Sequence, residues 1–123
     1  MTIPWDVEEI KRSAFTHDTT ASPDTITVNE AGLYRVTVTI AMGSSAQRAS
    51  VLTKLRQNGV DLDGESMGGY IRSQDGHNES STTLTKVIDC SAGDTIQVTA
   101  QQAAVAGTVN LRASQSVLLI EKL

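Results

Sequence analysis

The sequence predicts an all-β protein, folded as an antiparallel two-sheet sandwich of the jelly-roll type, on three observations. First, Val, Ile and Thr together number 34 among 123 residues, whereas Phe, Trp and Tyr number only 4, which is typical of strands rather than of a helical bundle. Second, segments of alternating apolar and polar residues recur about every eight to twelve residues. Third, Gly, Asn, Asp and Ser separate these segments, with almost no helical periodicity.

The clearest strand is predicted over residues 33–42. Apolar side chains occupy every second position there, which indicates a half-buried strand. They are Tyr34, Val36, Val38, Ile40 and Met42. A short strand at 25–28 precedes it, and the turn at 29–32 joins the two because Gly32 can adopt positive φ.

Two hairpins are predicted in the middle of the chain. Residues 49–57 alternate and end on Asn58-Gly59, which is the strongest short hairpin signal in the sequence. Residues 81–89 and 95–101 also alternate, and the turn at 91–94 connects them.

The remaining segments are less regular. Residues 116–123 are apolar on both faces, which predicts a strand that is central in the sandwich or lies against another subunit. Residues 7–13 are polar enough for a short helical turn or a loop. We further expect a surface loop over 61–69, a short strand at 69–73, a loop over 74–79 and a strand over 108–112.

Charge and hydropathy exclude several classes of function. The formal net charge is −4 and the basic residues are scattered, which argues against a nucleic-acid partner or a membrane partner. No stretch has the roughly 18 apolar residues of a transmembrane helix, and the acidic start lacks the pattern of a signal peptide. We therefore expect synthesis in a cytosol without export.

Candidate metal sites are weak. Asp61, Asp63 and Glu65 place carboxylates at alternate positions, as calcium loops do, but the other ligands of such a loop are missing. A second polar cluster mixes possible ligands of zinc without the spacing of a zinc site; it comprises Asp75, His77, Asn78 and Glu79. Both are interpreted as solvated loops, and no metal or cofactor is expected.

Catalysis is not expected either. The sequence has no nucleophile elbow, phosphate-binding loop or His-Glu-x-x-His motif. His17 beside Asp18 is interpreted as part of a Thr-rich surface loop. Cys90, the single cysteine, is predicted to be a small buried hydrophobe because it alternates with Ile88 in a strand.

An ordered set of motifs resembles the trimeric jelly rolls shared by complement globular heads and the tumour necrosis factor superfamily. Residues 31–36, Ala-Gly-Leu-Tyr-Arg-Val, are similar to the "aGlYrV" signature that opens a central strand of that family. The other matching segments, in the family's order, are Trp5-Asp6, Phe15, Leu55-x-x-Asn58-Gly59, residues 93–98 and residues 114–123. The resemblance implies a jelly roll over residues 13–123, with an N-terminal segment over 1–12.

The same resemblance implies a homotrimer. Trp5, Tyr34, Leu118 and Ile120 are the apolar candidates for the trimer interface, with the monomer core as the alternative location for each. Trp5 is the most informative, since a lone tryptophan near a chain end must dock on its own sheet or a neighbour's.

Jelly rolls of this type without a stalk or anchor are familiar as phage virion proteins, which leaves two functions open. The first is a decoration or cement protein on the capsid surface, contacting the major capsid protein or another virion protein through Ile3, Pro4 and Trp5. The second is a fibre or tail tip that recognises a host-surface receptor through loops at 61–67 and 74–80. A secreted cytokine-like ligand is a remote third, disfavoured by the absent signal peptide and cysteine pair.

Overall fold

The computed structural model describes residues 1–44, 50–67, 79–102, 109–112 and 115–123. Within these ranges the chain forms nine β-strands and no α-helix. In chain order they are β1 (Phe15–Asp18), β2 (Ser22–Val28), β3 (Gly32–Ser44), β4 (Val51–Gln57), β5 (Val60–Met67), β6 (Glu79–Cys90), β7 (Thr95–Gln102), β8 (Val109–Leu111) and β9 (Val117–Lys122). This confirms the predicted all-β class.

The strands form two antiparallel sheets. The first has the order β1-β2-β7-β4-β5, and the second places β3 between β6 on one side and β8 and β9 on the other. At the β5 and β6 edge the sheets are linked by hydrogen bonds, among them one between the hydroxyls of Ser66 and Thr82 and one from Lys86 Nζ to the carbonyl of Asp63 at 2.7 Å.

The core lies between the sheets because alternate residues of each strand point inward. Strand β3 contributes the five apolar side chains that the alternation predicts, all fully buried. The opposing sheet supplies Val28, Val51, Leu55, Ile96 and Val98, and Ile88 and Cys90 of β6 complete the core from the side of β3.

The β4–β5 hairpin turns at Asn58-Gly59, as predicted. Asn58 has φ of 52° and Gly59 has φ of 79°. Two successive positive φ values are those of a type I′ turn, whose twist matches that of the flanking strands.

Two local expectations are wrong, and one predicted strand is longer than expected. Residues 61–69 were expected to form a surface loop, yet residues 61–67 belong to strand β5; their polar side chains suit an edge strand with one solvated face. The pair His17-Asp18 lies in strand β1 rather than in a loop. The strand predicted at 25–28 begins earlier, at Ser22. The strand predicted at 69–73 lies outside the described residues. So do residues 74–78 of the loop expected at 74–79.

Candidate functional site

The outer face of the second sheet carries several exposed apolar side chains. Because paired residues of antiparallel strands share a face, the register of β3 with β6 and β9 defines which side chains are neighbours there. Large apolar side chains are from 49% to 58% exposed on this face. We call it the outer sheet face and define it by Leu33, Val87, Val117, Leu119 and Leu123.

Threonines fill the centre of the outer sheet face. Thr39 and Thr83 share a hydrogen bond of 3.0 Å, and the Thr85 hydroxyl donates to that of Thr37 at 3.4 Å. These hydroxyls have partners within the sheet, so covering them costs less than covering unpaired groups.

The outer sheet face also carries charged residues, including an ion pair that involves its central strand, β3. Arg35 and Glu121 are paired neighbours on β3 and β9, and their charged groups approach to 3.8 Å. Asp89 lies opposite Leu33 at the end of the sheet. A second protein surface that covers this face must keep Arg35 and Glu121 paired, because an unpaired buried charge is costly.

Tyr34, predicted for the trimer interface, lies inside the protomer. Its side chain is fully buried, its hydroxyl donates to the carbonyl of Glu30 at 2.6 Å, and its ring meets Phe15 edge-on with centroids 5.6 Å apart. The physical reason is that side chains alternate between the two faces of a strand, and the even-numbered positions of β3 face the core. Burial in the core leaves Tyr34 no surface for a neighbouring chain.

The two predicted interface residues of β9 also face inward. Leu118 and Ile120 are half-buried and pack against the core, while Val117 and Leu119 are the β9 side chains that face outward. The sequence shows that this segment is apolar on both faces, but only the pairing with β3 tells which face is outside.

The N-terminal residues are fastened to the first sheet. Backbone hydrogen bonds run from Ile3 N to the Val98 carbonyl at 2.8 Å and from Ala100 N to the Met1 carbonyl at 2.9 Å. The Thr2 hydroxyl donates to Asp24 at 2.6 Å, which is the main cause that lowers the pKa of that carboxyl.

These contacts decide the position of the three predicted capsid-contact residues. Ile3 is buried in the core, Trp5 is half-buried, and Pro4 is exposed. Trp5 N donates to the Pro23 carbonyl at 2.9 Å. The indole Nε1 is buried without a hydrogen-bond partner in the described residues, so the ring is held by packing and by its backbone.

An apolar groove of about 330 Å³ lies beside this segment. Its walls are mainly hydrophobic, with Asp6 and Ser116 as the polar members. We call it the N-terminal groove and define it by Met1, Ile3, Pro4, Trp5, Asp6, Val7, Leu111 and Ser116. The groove brings together all three residues predicted to contact a capsid, and Val7 adds a side chain that is 76% exposed.

Two of the three acidic residues of β5 have charged partners. Asp61 binds Arg56 at 3.0 Å and Glu65 pairs with Lys54 at 3.4 Å. No group of three or more His, Cys, Asp or Glu residues arranged to hold a metal occurs in the part of the chain that the structure describes. Asp75, His77 and Asn78 lie outside that part, and Glu79 pairs with Arg112 at 3.4 Å.

The two other side chains considered for catalysis, His17 and Cys90, are held by contacts within the fold. His17 Nε2 lies 2.9 Å from the Pro23 carbonyl, and its other ring nitrogen lies 3.7 Å from Glu8. Cys90 is buried, as predicted, and burial raises the pKa of its thiol, which favours the less reactive protonated form. Among the residues described, no helix is long and apolar enough to cross a membrane.

Comparison with known proteins supports the fold. No protein-family model matches the chain. No curated protein matches it. Among solved structures, Eiger TNF from S. frugiperda is 20% identical over 89% of this chain and 68% of that one, with a TM-score of 0.59. Murine APRIL at pH 5.0 is 17% identical over 92% of this chain and 80% of that one, with a TM-score of 0.60.

These similarities define the class of fold. At this identity they establish architecture and not activity. The protein is a jelly roll of the tumour necrosis factor type, and its two candidate interaction surfaces are the outer sheet face and the N-terminal groove.

Proposed function

We propose that this protein is a homotrimeric structural component of a phage virion, which decorates the assembled capsid and stabilises it by adhesion. The observation that carries the trimer is the outer sheet face, on which five large apolar side chains are about half exposed. The virion setting and the count of three follow from the resemblance of residues 31–36 and the other matching segments to trimeric jelly rolls.

The outer sheet face accounts for association energetically. Full burial of an aliphatic side chain is worth about 1.5 to 3 kcal/mol, so completing the burial of five half-exposed ones contributes several kcal/mol per protomer. Clustered apolar surface of this kind usually marks an interaction site. Copies of this chain are suitable partners, because every subunit of a closed symmetric ring buries equivalent surfaces.

The N-terminal groove is the proposed attachment surface. Its lining shares no residue with the outer sheet face, so a trimer can use both surfaces at once. Three grooves on one trimer multiply a weak contact by avidity. Preferential binding to the assembled lattice then stabilises that lattice by mass action.

Two measurements test the proposal. Sedimentation equilibrium at micromolar concentration should give about three times the chain mass of 13.1 kDa; a mass of one chain would overturn the trimer. Electron microscopy of virions that contain the protein should show trimeric density at lattice positions of the head. Density at a tail or fibre tip would instead support receptor recognition. One of the two loops expected to serve that function, 61–67, is a strand in the structure.

A matched pair of variants separates attachment from assembly. Val7→Asp places a charge in the N-terminal groove, whereas Val60→Asp changes a side chain of similar exposure, 65% against 76%, on β5. We expect Val7→Asp to remain trimeric and lose co-sedimentation with capsids, and Val60→Asp to keep both properties. Equal capsid binding by the two variants would exclude the groove as the attachment surface.

A further inference from the structure

Two turns meet at one end of the first sheet. One is the Asn58-Gly59 turn of the β4–β5 hairpin, and the other is the turn at 91–94 that joins β6 to β7. Asn58 N donates to the carbonyl of Thr95 at 3.0 Å. The two turns are therefore held together by backbone as well as by side chains.

The side-chain amide of Asn58 is engaged at both of its polar atoms. Its Nδ2 donates to Asp94 Oδ1 at 3.0 Å, and its Oδ1 accepts from Thr95 N at 3.0 Å. These two bonds hold Cγ of the Asn58 side chain in one orientation relative to the backbone nitrogen of Gly59.

The other carboxylate oxygen of Asp94 also accepts hydrogen bonds, which hold the side chain in place. Asp94 Oδ2 accepts from Ser91 N at 2.9 Å and from Gln57 Nε2 at 3.1 Å. The bond from Asn58 and these two bonds lower the pKa of the Asp94 carboxyl. At neutral pH the carboxylate is therefore charged and acts as a rigid acceptor for the Asn58 amide.

An asparagine followed by glycine is chemically labile, and asparagine is among the thermolabile residues. The Gly59 backbone nitrogen can attack Cγ of Asn58. The Cγ–Nδ2 bond breaks, ammonia leaves with the proton of the Gly59 N–H, and a cyclic imide remains. Water then opens the imide to aspartate or isoaspartate. Glycine favours this step because it has no side chain to obstruct ring closure and allows unusual backbone angles.

We propose that Asn58 is a latent deamidation site, which the carboxylate of Asp94 keeps closed by holding the Asn58 amide away from the Gly59 nitrogen. Attack requires that both amide hydrogen bonds open first. Two such bonds lower the open fraction by about tenfold or more. Deamidation removes the Nδ2 donor and places a second carboxylate against Asp94. The hydrogen bond between residue 58 and Asp94 therefore cannot form again after the reaction.

Peptide mapping by mass spectrometry tests this protection. The intact protein is incubated at about pH 8.5 and about 37 °C, and the gain of about 1 Da at Asn58 is followed beside a free peptide of residues 56–62. We expect Asn58 to react at least about tenfold more slowly in the protein than in the peptide. Asn29 and Asn110, which precede Glu30 and Leu111, serve as internal controls. Equal rates in protein and peptide would overturn the proposal.

Asp94→Ala identifies the residue responsible. Asp89→Ala is its matched control, because Asp89 lies just before the same turn without a side-chain bond to Asn58. Asp94→Ala should raise the Asn58 rate toward that of the peptide, and Asp89→Ala should not. Circular dichroism verifies that both variants are folded at the incubation temperature. A folded Asp94→Ala protein with an unchanged rate would show that Asp94 is not the protecting group.

Asn58→Asp reproduces one product of the reaction directly and needs no slow incubation. The carboxylate that this substitution introduces would face Asp94, with Asp89 and the Cys90 thiol also near this turn. We expect the unfolding equilibrium constant at pH 7 to rise by roughly tenfold, and the difference from the unmodified protein to shrink toward pH 4 as one carboxylate of the pair is protonated. Equal stability at pH 7 would contradict the proposed role of the Asn58 amide.

Discussion

The hydroxyl of Tyr34 donates a hydrogen bond of 2.6 Å to the backbone carbonyl of Glu30, four residues earlier in the chain. This bond fixes the turn that leads into β3 while the ring fills the core against Phe15. A residue of the motif that resembles trimeric jelly rolls thus contributes to the protomer itself, where it joins a turn to the core.

Tyr34→Phe should therefore destabilise the folded protein modestly. The ring stays in place, but the carbonyl of Glu30 loses its donor, and the expected loss in free energy of unfolding is about 1 to 2 kcal/mol. Tyr34→Ala should cost about 3 to 5 kcal/mol because it also leaves a cavity. Urea denaturation measures both. A Tyr34→Phe protein as unstable as Tyr34→Ala would show that the hydrogen bond, rather than packing, dominates.

Leu119→Asp should disrupt the trimer without unfolding the protomer. Leu119 is 50% exposed on the outer sheet face, and an unpaired charge buried there would weaken association by about 3 kcal/mol or more. The expected result is sedimentation as a single chain with an unchanged β-sheet circular dichroism spectrum. Val60→Asp, on the other sheet, is the control. A trimeric Leu119→Asp protein would place the interface elsewhere.

Stability should fall in acid between about pH 5 and pH 2. The pKa values of Asp18, Asp24 and Asp94 are each lowered by hydrogen bonds that the charged carboxylate accepts. A carboxyl whose pKa is lower when folded stabilises the protein above its unfolded pKa of about 3.9, and this contribution disappears as the pH falls through the folded value. Thermal unfolding across this range measures the effect.

Thr2→Val isolates one of these carboxyls. It removes the hydroxyl that donates to Asp24 and preserves the shape of the side chain. The free energy of unfolding at pH 7 should fall by a few tenths to about 1 kcal/mol, because the pair is partly exposed. The difference in free energy of unfolding between the variant and the unmodified protein should become smaller toward pH 2, because Asp24 is protonated there. A deficit independent of pH would mean that the bond to Asp24 is not its origin.

Trp5→Phe should be nearly neutral for folding. The indole Nε1 is buried without a partner among the described residues, so the substitution removes an unsatisfied donor while it removes some packing. The change in free energy of unfolding should stay within about 1 kcal/mol. Trp5→Ala should cost about 2 kcal/mol or more through lost packing. Because Trp5 is the single tryptophan, circular dichroism rather than fluorescence must follow unfolding.

Most strands could be predicted from the sequence because their burial is one-sided. Burial along β3 alternates from Leu33 to Ile40, and Asn58-Gly59 specifies a turn type by steric requirement. Both features are therefore readable from the local sequence. Strand β5 is not, because its residues 61–67 form part of an edge and carry acidic side chains that pair with Arg56 and Lys54 of the neighbouring strand. That pairing depends on the neighbouring strand and has no signature within the segment.

The interaction surfaces were less predictable than the strands. Alternation shows that Leu118 and Val117 point to opposite sides, but the side that faces the core depends on the register of β9 with β3. Similarly, nothing local to Ile3 indicates that it inserts beside Val98. The three N-terminal residues predicted to contact a capsid line one groove, but their division into buried Ile3 and exposed Pro4 required the tertiary structure.

The pairing of β3 with β9 has a consequence for biosynthesis. Tyr34 lies opposite Lys122, and Leu123 N donates to the Leu33 carbonyl at 2.9 Å, so one ladder of the second sheet joins segments that are far apart in the chain. Such nonlocal pairing is slow to form and cannot begin until both partners exist. Until β9 is translated, the Tyr34–Thr39 part of β3 can pair with β6 but lacks its second neighbour, so one edge of this central strand stays open late in synthesis.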